Sequence, residues 1–120
     1  MKKFARHLAL AALALAAPLA VTAASAADYP AKPVTFVVPW PAGGSTDITG
    51  RMTASYMSNH LGQAIAVVNR VGGVGTIATR SVLDAPKDGY TVLVTTVGNH
   101  VLQPAVRDVG FLPRDFIPIG

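Results

Sequence analysis

Cysteine is absent from the 120 residues, and so is glutamate. Without thiols there is no disulfide framework, no thiolate zinc site and no cysteine nucleophile; the redox compartment is left open. Without glutamate, six aspartates carry all the side-chain acid chemistry. Charged residues make up 13% of the chain, about half the ~25% usual in soluble domains, which excludes a disordered polyelectrolyte. The three histidines are His7, His60 and His100. None forms a pair at i, i+4 spacing, so the sequence offers no helical metal pair. His60 sits near a helix end, in the position of a solvated or C-terminal charge. His100 follows a strand, where a place in a cleft and a place on the surface are equally open.

Long apolar runs are also scarce. The longest, Leu8 to Ala17, is preceded by Lys2, Lys3 and Arg6 and broken by Pro18. It falls short of the ~20 residues that a spanning helix needs. Ala24-Ser25-Ala26 then supplies the small residues of a cleavage site. The succession predicts a secretory signal over residues 1–26, cut after Ala26, with Ala27 as the alternative, and a bacterial periplasmic destination. Removing it takes three of the ten basic side chains. It leaves 94 residues with seven basic and six acidic groups, a net +1 in place of +4. No basic stripe remains, so nucleic acid is excluded as a partner.

The rest alternates strands and helices. Val34 to Val38 is apolar on both faces, as in a buried parallel strand. Pro41-Ala42-Gly43-Gly44-Ser45-Thr46-Asp47 is a turn-rich loop. It leads into a helix predicted from Asp47 to Leu61, marked by Ile48, Met52 and Tyr56 at i, i+4, i+8 and stopped by Gly62. The pattern repeats: a strand from Ile65 to Val68, a glycine-rich loop from Asn69 to Gly75, and a second helix. The face of that helix is Ile77, Ala78, Ser81, Val82 and Ala85, and Pro86 stops it. Asp88-Gly89 turns into a third strand, Tyr90 to Thr95. Asn99 to Val106 reads as a short helix interrupted by Pro104.

The order βαβαβ predicts an α/β fold with a parallel sheet and right-handed crossovers. Both glycine-rich loops then lie at the carboxyl ends of strands, where open α/β sheets bind ligands. Helix N-termini there offer free N–H groups, and Ser45, Thr46 and Thr76 add hydroxyls. Each of these residues has a plainer role too, as a cap or a turn. Taken as a pair, the loops point to a carboxylate or phosphate site. Trp40, beside the first strand, either packs over a ligand or covers the core.

Gly73-Val74-Gly75-Thr76-Ile77-Ala78 also fits the G-x-G-x-x-A dinucleotide fingerprint, which is the alternative: a Rossmann-type oxidoreductase. That fingerprint expects an acid ending the next strand. Here the strand ends in Thr95-Thr96-Val97, with no acid between Asp88 and Asp108. Neither loop ends in the G-K-[ST] of a P-loop.

Five segments in order resemble the tripartite tricarboxylate transporter substrate-binding proteins, the Bug receptors. They are Tyr29-Pro30-Ala31-Lys32-Pro33, the stretch Val37-Val38-Pro39-Trp40-Pro41-Ala42-Gly43-Gly44-Ser45-Thr46-Asp47, and Asn69-Arg70-Val71-Gly72-Gly73-Val74-Gly75. Pro86-Lys87-Asp88-Gly89-Tyr90-Thr91 and Asp115-Phe116-Ile117-Pro118-Ile119-Gly120 complete the set. Val71 and Val74 stand where that family has proline and glycine, and Arg80 where it often has an acid. The resemblance implies a type II periplasmic binding fold, with residues 27–120 forming part of its N-terminal lobe. It implies a receptor rather than an enzyme, without a cofactor, that captures a small carboxylated metabolite for a membrane permease. Carried over, the binding residues are Trp40, Gly43, Gly44, Ser45 and Asp47, then Gly75 and Thr76, then Thr95 and Thr96. Asp47 is expected to order its loop, since it would repel an anion. The family's second lobe is missing from these residues, so the sequence is expected to end inside a larger fold. Made alone it is expected to be marginally stable and to bind no ligand tightly, with Phe111, Phe116 and Ile117 short of partners; a truncated product with no independent function is the further alternative.

Overall fold

The computed structural model describes residues 29–119. The expected signal, residues 1–26, lies outside them. Three strands, β1 (Val34–Val38), β2 (Ile65–Asn69) and β3 (Thr91–Leu93), form one parallel sheet in the order β2-β1-β3. Phe36 aligns with Val67 on one side and Val92 on the other. Helix α1 (Ser45–Leu61) connects β1 to β2, and α2 (Thr76–Leu83) connects β2 back past β1 to β3. The α/β class and the parallel βαβαβ order are those of the sequence.

The two-residue period of β1 sends side chains to both faces. Val34 and Phe36 pack with Ala54 of α1, flanked by Met57, Val67 and Val92. Val37 packs with Ala78 and Val82 of α2, flanked by Leu93 and Phe116. The helices therefore cover opposite faces, and β1 is the buried centre. Full burial is worth about 1.5–3 kcal/mol for each such Val or Phe.

The buried face of α1 is not the one its large apolar residues mark. Ile48, Met52 and Tyr56 are exposed, Met52 at 69%, while Asp47, Gly50 and Ala54 are buried. Close approach decides the matter. A Cβ on Gly50 would already stand 3.4 Å from methyls of Val38 and Val94, so only small residues fit between helix and sheet. On α2, similarly, Ala78, Thr79 and Val82 turn inward and Ile77 outward. Helix α1 stops as expected at Gly62, left-handed at φ 66°, whose N–H reaches the Ser58 carbonyl at 3.0 Å.

Beyond β3, Gly98–Leu102 winds as a wide π turn and runs into the short helix α3 (Gln103–Val106). Pro104 stands at the first turn of α3, where its missing N–H is harmless, so it does not interrupt the segment. The chain then folds back. Phe111 is buried, and Phe116 packs against the α2 face of the core. The two rings meet at 6.1 Å, and His100 completes the cluster, its ring 6.4 Å from Phe111 and 4.9 Å from Phe116. Phe111 and Phe116 thus have partners, contrary to expectation, and only Ile117 stays open, at 90% exposure.

At the amino end of the sheet, the Tyr29 hydroxyl donates to the Gly89 carbonyl (2.7 Å), and the Ala31 N–H to the Tyr90 hydroxyl (2.8 Å). The two rings meet at 5.1 Å, and Lys32 lies over Tyr90 and beside Asp88.

Candidate functional site

All three strands end at one edge, and a loop follows each: Pro39–Gly44 after β1, 70–75 after β2, and 94–97 after β3. With the order β2-β1-β3, the chain leaves β1 to one side and returns on the other. The carboxyl ends of β1 and β3 therefore form a topological switch point, the usual ligand crevice of open α/β sheets.

Asp47 organises the first loop. It is 2% exposed and stands in the third position of α1. Its Oδ2 accepts from the Gly43 N–H (2.8 Å) and Arg51 Nε (3.0 Å), and its Oδ1 from Asn69 Nδ2 (2.8 Å). Asn69, the last residue of β2, also donates to the Trp40 carbonyl (2.9 Å) and accepts from an Arg51 terminal nitrogen (2.9 Å). The Arg51 guanidinium first, then the Gly43 N–H and the Asn69 amide, bring the Asp47 carboxyl from an ordinary 3.8 down to about 2, against the opposing effect of burial. The carboxylate is thus fully engaged inside the loop. Ser45, Thr46 and Asp47 are not N-caps. The cap is Gly44, which offers no side chain, and the start of α1 has no side-chain cap. Gly43 and Gly44 spend their own N–H groups on Asp47 and on the Pro41 carbonyl. Among the described residues, the Ser45 and Thr46 amides at the start of this 17-residue helix carry no such bond, and Ser45 is exposed. Trp40 is half-buried, two residues past the end of β1.

The second loop makes a run of left-handed residues: Gly72 (φ 139°), Gly73 (56°), Val74 (55°) and Gly75 (86°). Val74, a β-branched residue, is strained there. Gly75 caps α2, and a Cβ on it would lie 2.9 Å from Asn99. The Thr76 hydroxyl donates back to the Gly73 carbonyl at 2.8 Å, and an Arg107 nitrogen reaches the same carbonyl at 3.3 Å.

The third loop is tied to the second by Asn99, which is fully buried. Its Oδ1 accepts from the Thr95 hydroxyl (2.8 Å), the Thr96 hydroxyl (3.0 Å) and the Thr96 N–H (3.2 Å). Its Nδ2 donates to the Thr79 hydroxyl (3.2 Å), which donates to the Gly75 carbonyl (2.9 Å).

Trp40, Gly43, Gly44, Ser45 and Asp47 therefore gather at the end of β1, Gly75 and Thr76 at the end of β2, and Thr95 and Thr96 at the end of β3. Arg51, Thr79 and Asn99 also belong to this edge, and no sequence pattern marked them. Only a three-dimensional contact gives a buried asparagine its meaning. A cavity of about 350 Å³ lies elsewhere, lined by Pro104, Arg107 and residues 108–112 and 115. The loops form an open edge.

The G-x-G-x-x-A run follows β2, an edge strand, and the next strand, β3, lies on the far side of β1. The strand order separates the glycine turn from the strand that would carry a ribose-binding acid. This removes the geometry on which the dinucleotide alternative depends.

A parallel sheet wound on both faces, with its ligand loops at the switch point, is the architecture of a periplasmic binding protein lobe. No family model matches the chain. It is 38% identical to the UPF0065 protein of the tcbD-tcbE intergenic region of Pseudomonas sp., over 95% of this chain and 34% of that protein. It is 40% identical to Protein BugT of Bordetella pertussis, over 72% and 25%. Among solved structures it superposes on malate-bound MatC of Rhodopseudomonas palustris (TM-score 0.73, 36% identity, 76% of this chain and 32% of that one). It superposes equally on an adipate-bound R. palustris protein (TM-score 0.69, 41% identity, 72% and 29%). The resemblance read from the motifs holds: over most of its length the chain matches Bug/TctC solute-binding proteins of the tripartite tricarboxylate class. It spans about a third of the length of the curated relatives it matches.

Proposed function

We propose that residues 27–120 of this chain form part of the N-terminal lobe of an exported solute receptor. The receptor takes up a small carboxylate in the periplasm and delivers it to the membrane permease of a tripartite tricarboxylate-type transporter. It is a binding protein and not an enzyme, and residues 1–26 are its cleaved signal. The observation that carries the reading is the start of α1. The loop before it is locked by Asp47, Arg51 and Asn69, so the Ser45 and Thr46 amides stand uncapped at the switch point, at the positive end of a 17-residue helix. Such donors suit a carboxylate and need no lysine or arginine. Trp40 flanks the anion, Gly43, Gly44 and Gly75 keep the backbone close to it, and Thr76, Thr95 and Thr96 line the adjoining loops. The adipate and malate named with the structural neighbours are ligands of this chemistry.

Amide NMR of the exported chain, titrated with adipate, succinate and NAD, tests the reading. The dicarboxylates should shift Ser45 and Thr46, and NAD should not. Shifts with NAD alone would overturn it. Mass spectrometry of the periplasmic product should give an N-terminus at Ala27 or Asp28.

A further inference from the structure

We propose that Asn99 fixes the polarity of the third loop, so that the ligand group received there is a hydrogen-bond donor, a hydroxyl or an ammonium, and not a second carboxylate. The inference rests on the carboxylate-receptor reading above and adds to it the class of substrate. The hydroxyl protons have defined nearest acceptors: the Thr95 hydroxyl also faces the Thr96 carbonyl at 3.5 Å, but Asn99 Oδ1 is far closer at 2.8 Å. The Thr96 N–H can only donate, so the Asn99 group facing it at 3.2 Å is the carbonyl oxygen and not the NH2. That oxygen also receives the single hydroxyl protons of Thr95 (2.8 Å) and Thr96 (3.0 Å). The other end of the amide is fixed as well. The Thr79 hydroxyl proton goes to the Gly75 carbonyl (2.9 Å), so Thr79 must accept from Asn99 Nδ2 (3.2 Å).

With their protons turned inward, the Thr95 and Thr96 hydroxyls have only lone pairs left to offer. Both residues stay partly exposed at the end of β3, whereas Asn99 is sealed at 0%. A carboxylate brought against them would meet acceptor on acceptor. It would have to pull a hydroxyl proton away from a buried amide oxygen. A hydroxyl or ammonium on the carbon chain of the ligand fits without rearrangement. The first loop offers amide donors and the third offers acceptors, which together describe a hydroxy- or amino-substituted acid.

The test compares three four-carbon diacids on the exported chain by amide NMR titration: succinate, with no donor, malate, with a hydroxyl, and aspartate, with an ammonium. All three should shift Ser45 and Thr46. Malate or aspartate should also shift Thr95 and Thr96 and bind about tenfold tighter than succinate, the worth of one hydrogen bond. Whichever of the two does so identifies the donor. Thr96→Val, which keeps the buried amide, should bring that ratio toward one. Asn99→Leu, which frees both hydroxyl protons, should reverse it if the chain keeps its circular dichroism spectrum. Equal binding of all three acids, with Ser45 and Thr46 shifting, would overturn the inference and leave the carboxylate reading intact. No shift with any acid would overturn both.

Discussion

Gly62 and Gly75 both adopt left-handed backbone, at φ 66° and 86°, yet they stand in opposite surroundings. A Cβ on Gly62 meets nothing within 4 Å, whereas one on Gly75 would lie 2.9 Å from both Cβ and Nδ2 of Asn99. Alanine at either position takes on the left-handed penalty of about 1–2 kcal/mol. At Gly62 a stiffer unfolded chain offsets part of that, leaving a net loss of about 1 kcal/mol. At Gly75 the alanine also displaces Asn99, which is held by four hydrogen bonds to Thr79, Thr95 and Thr96 and cannot yield alone. Overpacking of this kind costs a further 1–3 kcal/mol or so. Gly75→Ala should therefore lose about 2–4 kcal/mol against about 1 for Gly62→Ala, a large part of the 5 or so that a small domain holds. Urea titrations followed by circular dichroism, at a slope of about 1 kcal/mol per molar, should separate the two midpoints by more than roughly 1 M. Coincident midpoints would refute the reasoning, because the loss would then be a backbone effect and the Asn99 contact would carry no weight.

Two further outcomes follow from the loops. The Asp47 carboxyl is held at about 2 against an ordinary 3.8, so its contribution to stability is complete above 3.8 and is lost as pH falls through that value toward 2. Denaturation curves collected down that range should show the loss, and Asp47→Asn should flatten this part of the profile. Val74→Gly should stabilise the chain by up to about 1 kcal/mol, the relief of left-handed strain less the added freedom of glycine. A lower melting temperature for that variant would contradict the strain.

Much of the architecture was legible in the residues. β1 spans Val34–Val38 as read, because an apolar run on both faces is what a central parallel strand requires. The shared edge of the two glycine loops followed from strand-loop-helix order alone. The facing of the helices was not legible. Hydropathy periodicity singles out Ile48, Met52 and Tyr56, but the sheet selects Gly50 and Ala54 because they permit a short separation, a property of shape that hydropathy does not record. The third strand was read two residues too long at its end: regular pairing stops at Leu93, and Val94 adds one last bond to the Val37 carbonyl at 2.9 Å. Asn99 escaped notice for a related reason. A polar residue in a polar-looking stretch gives no periodic signal, and its importance comes from Thr79, twenty residues earlier in sequence.

The tyrosine pair at the start of the described chain has a practical consequence. Tyr29 and Tyr90 stitch residues 29–31 to the amino edge of the sheet, the edge opposite the loops. Five residues of β1 separate the two edges, roughly 15 Å at the usual strand rise. A dye, an affinity tag or a surface linker joined ahead of Asp28 would therefore be anchored on the rear of the molecule. Chains immobilised through that end would all present the loops outward, in one orientation. A sensor chip or a fluorescent reporter built this way would leave the approach to Ser45 and Thr96 unobstructed.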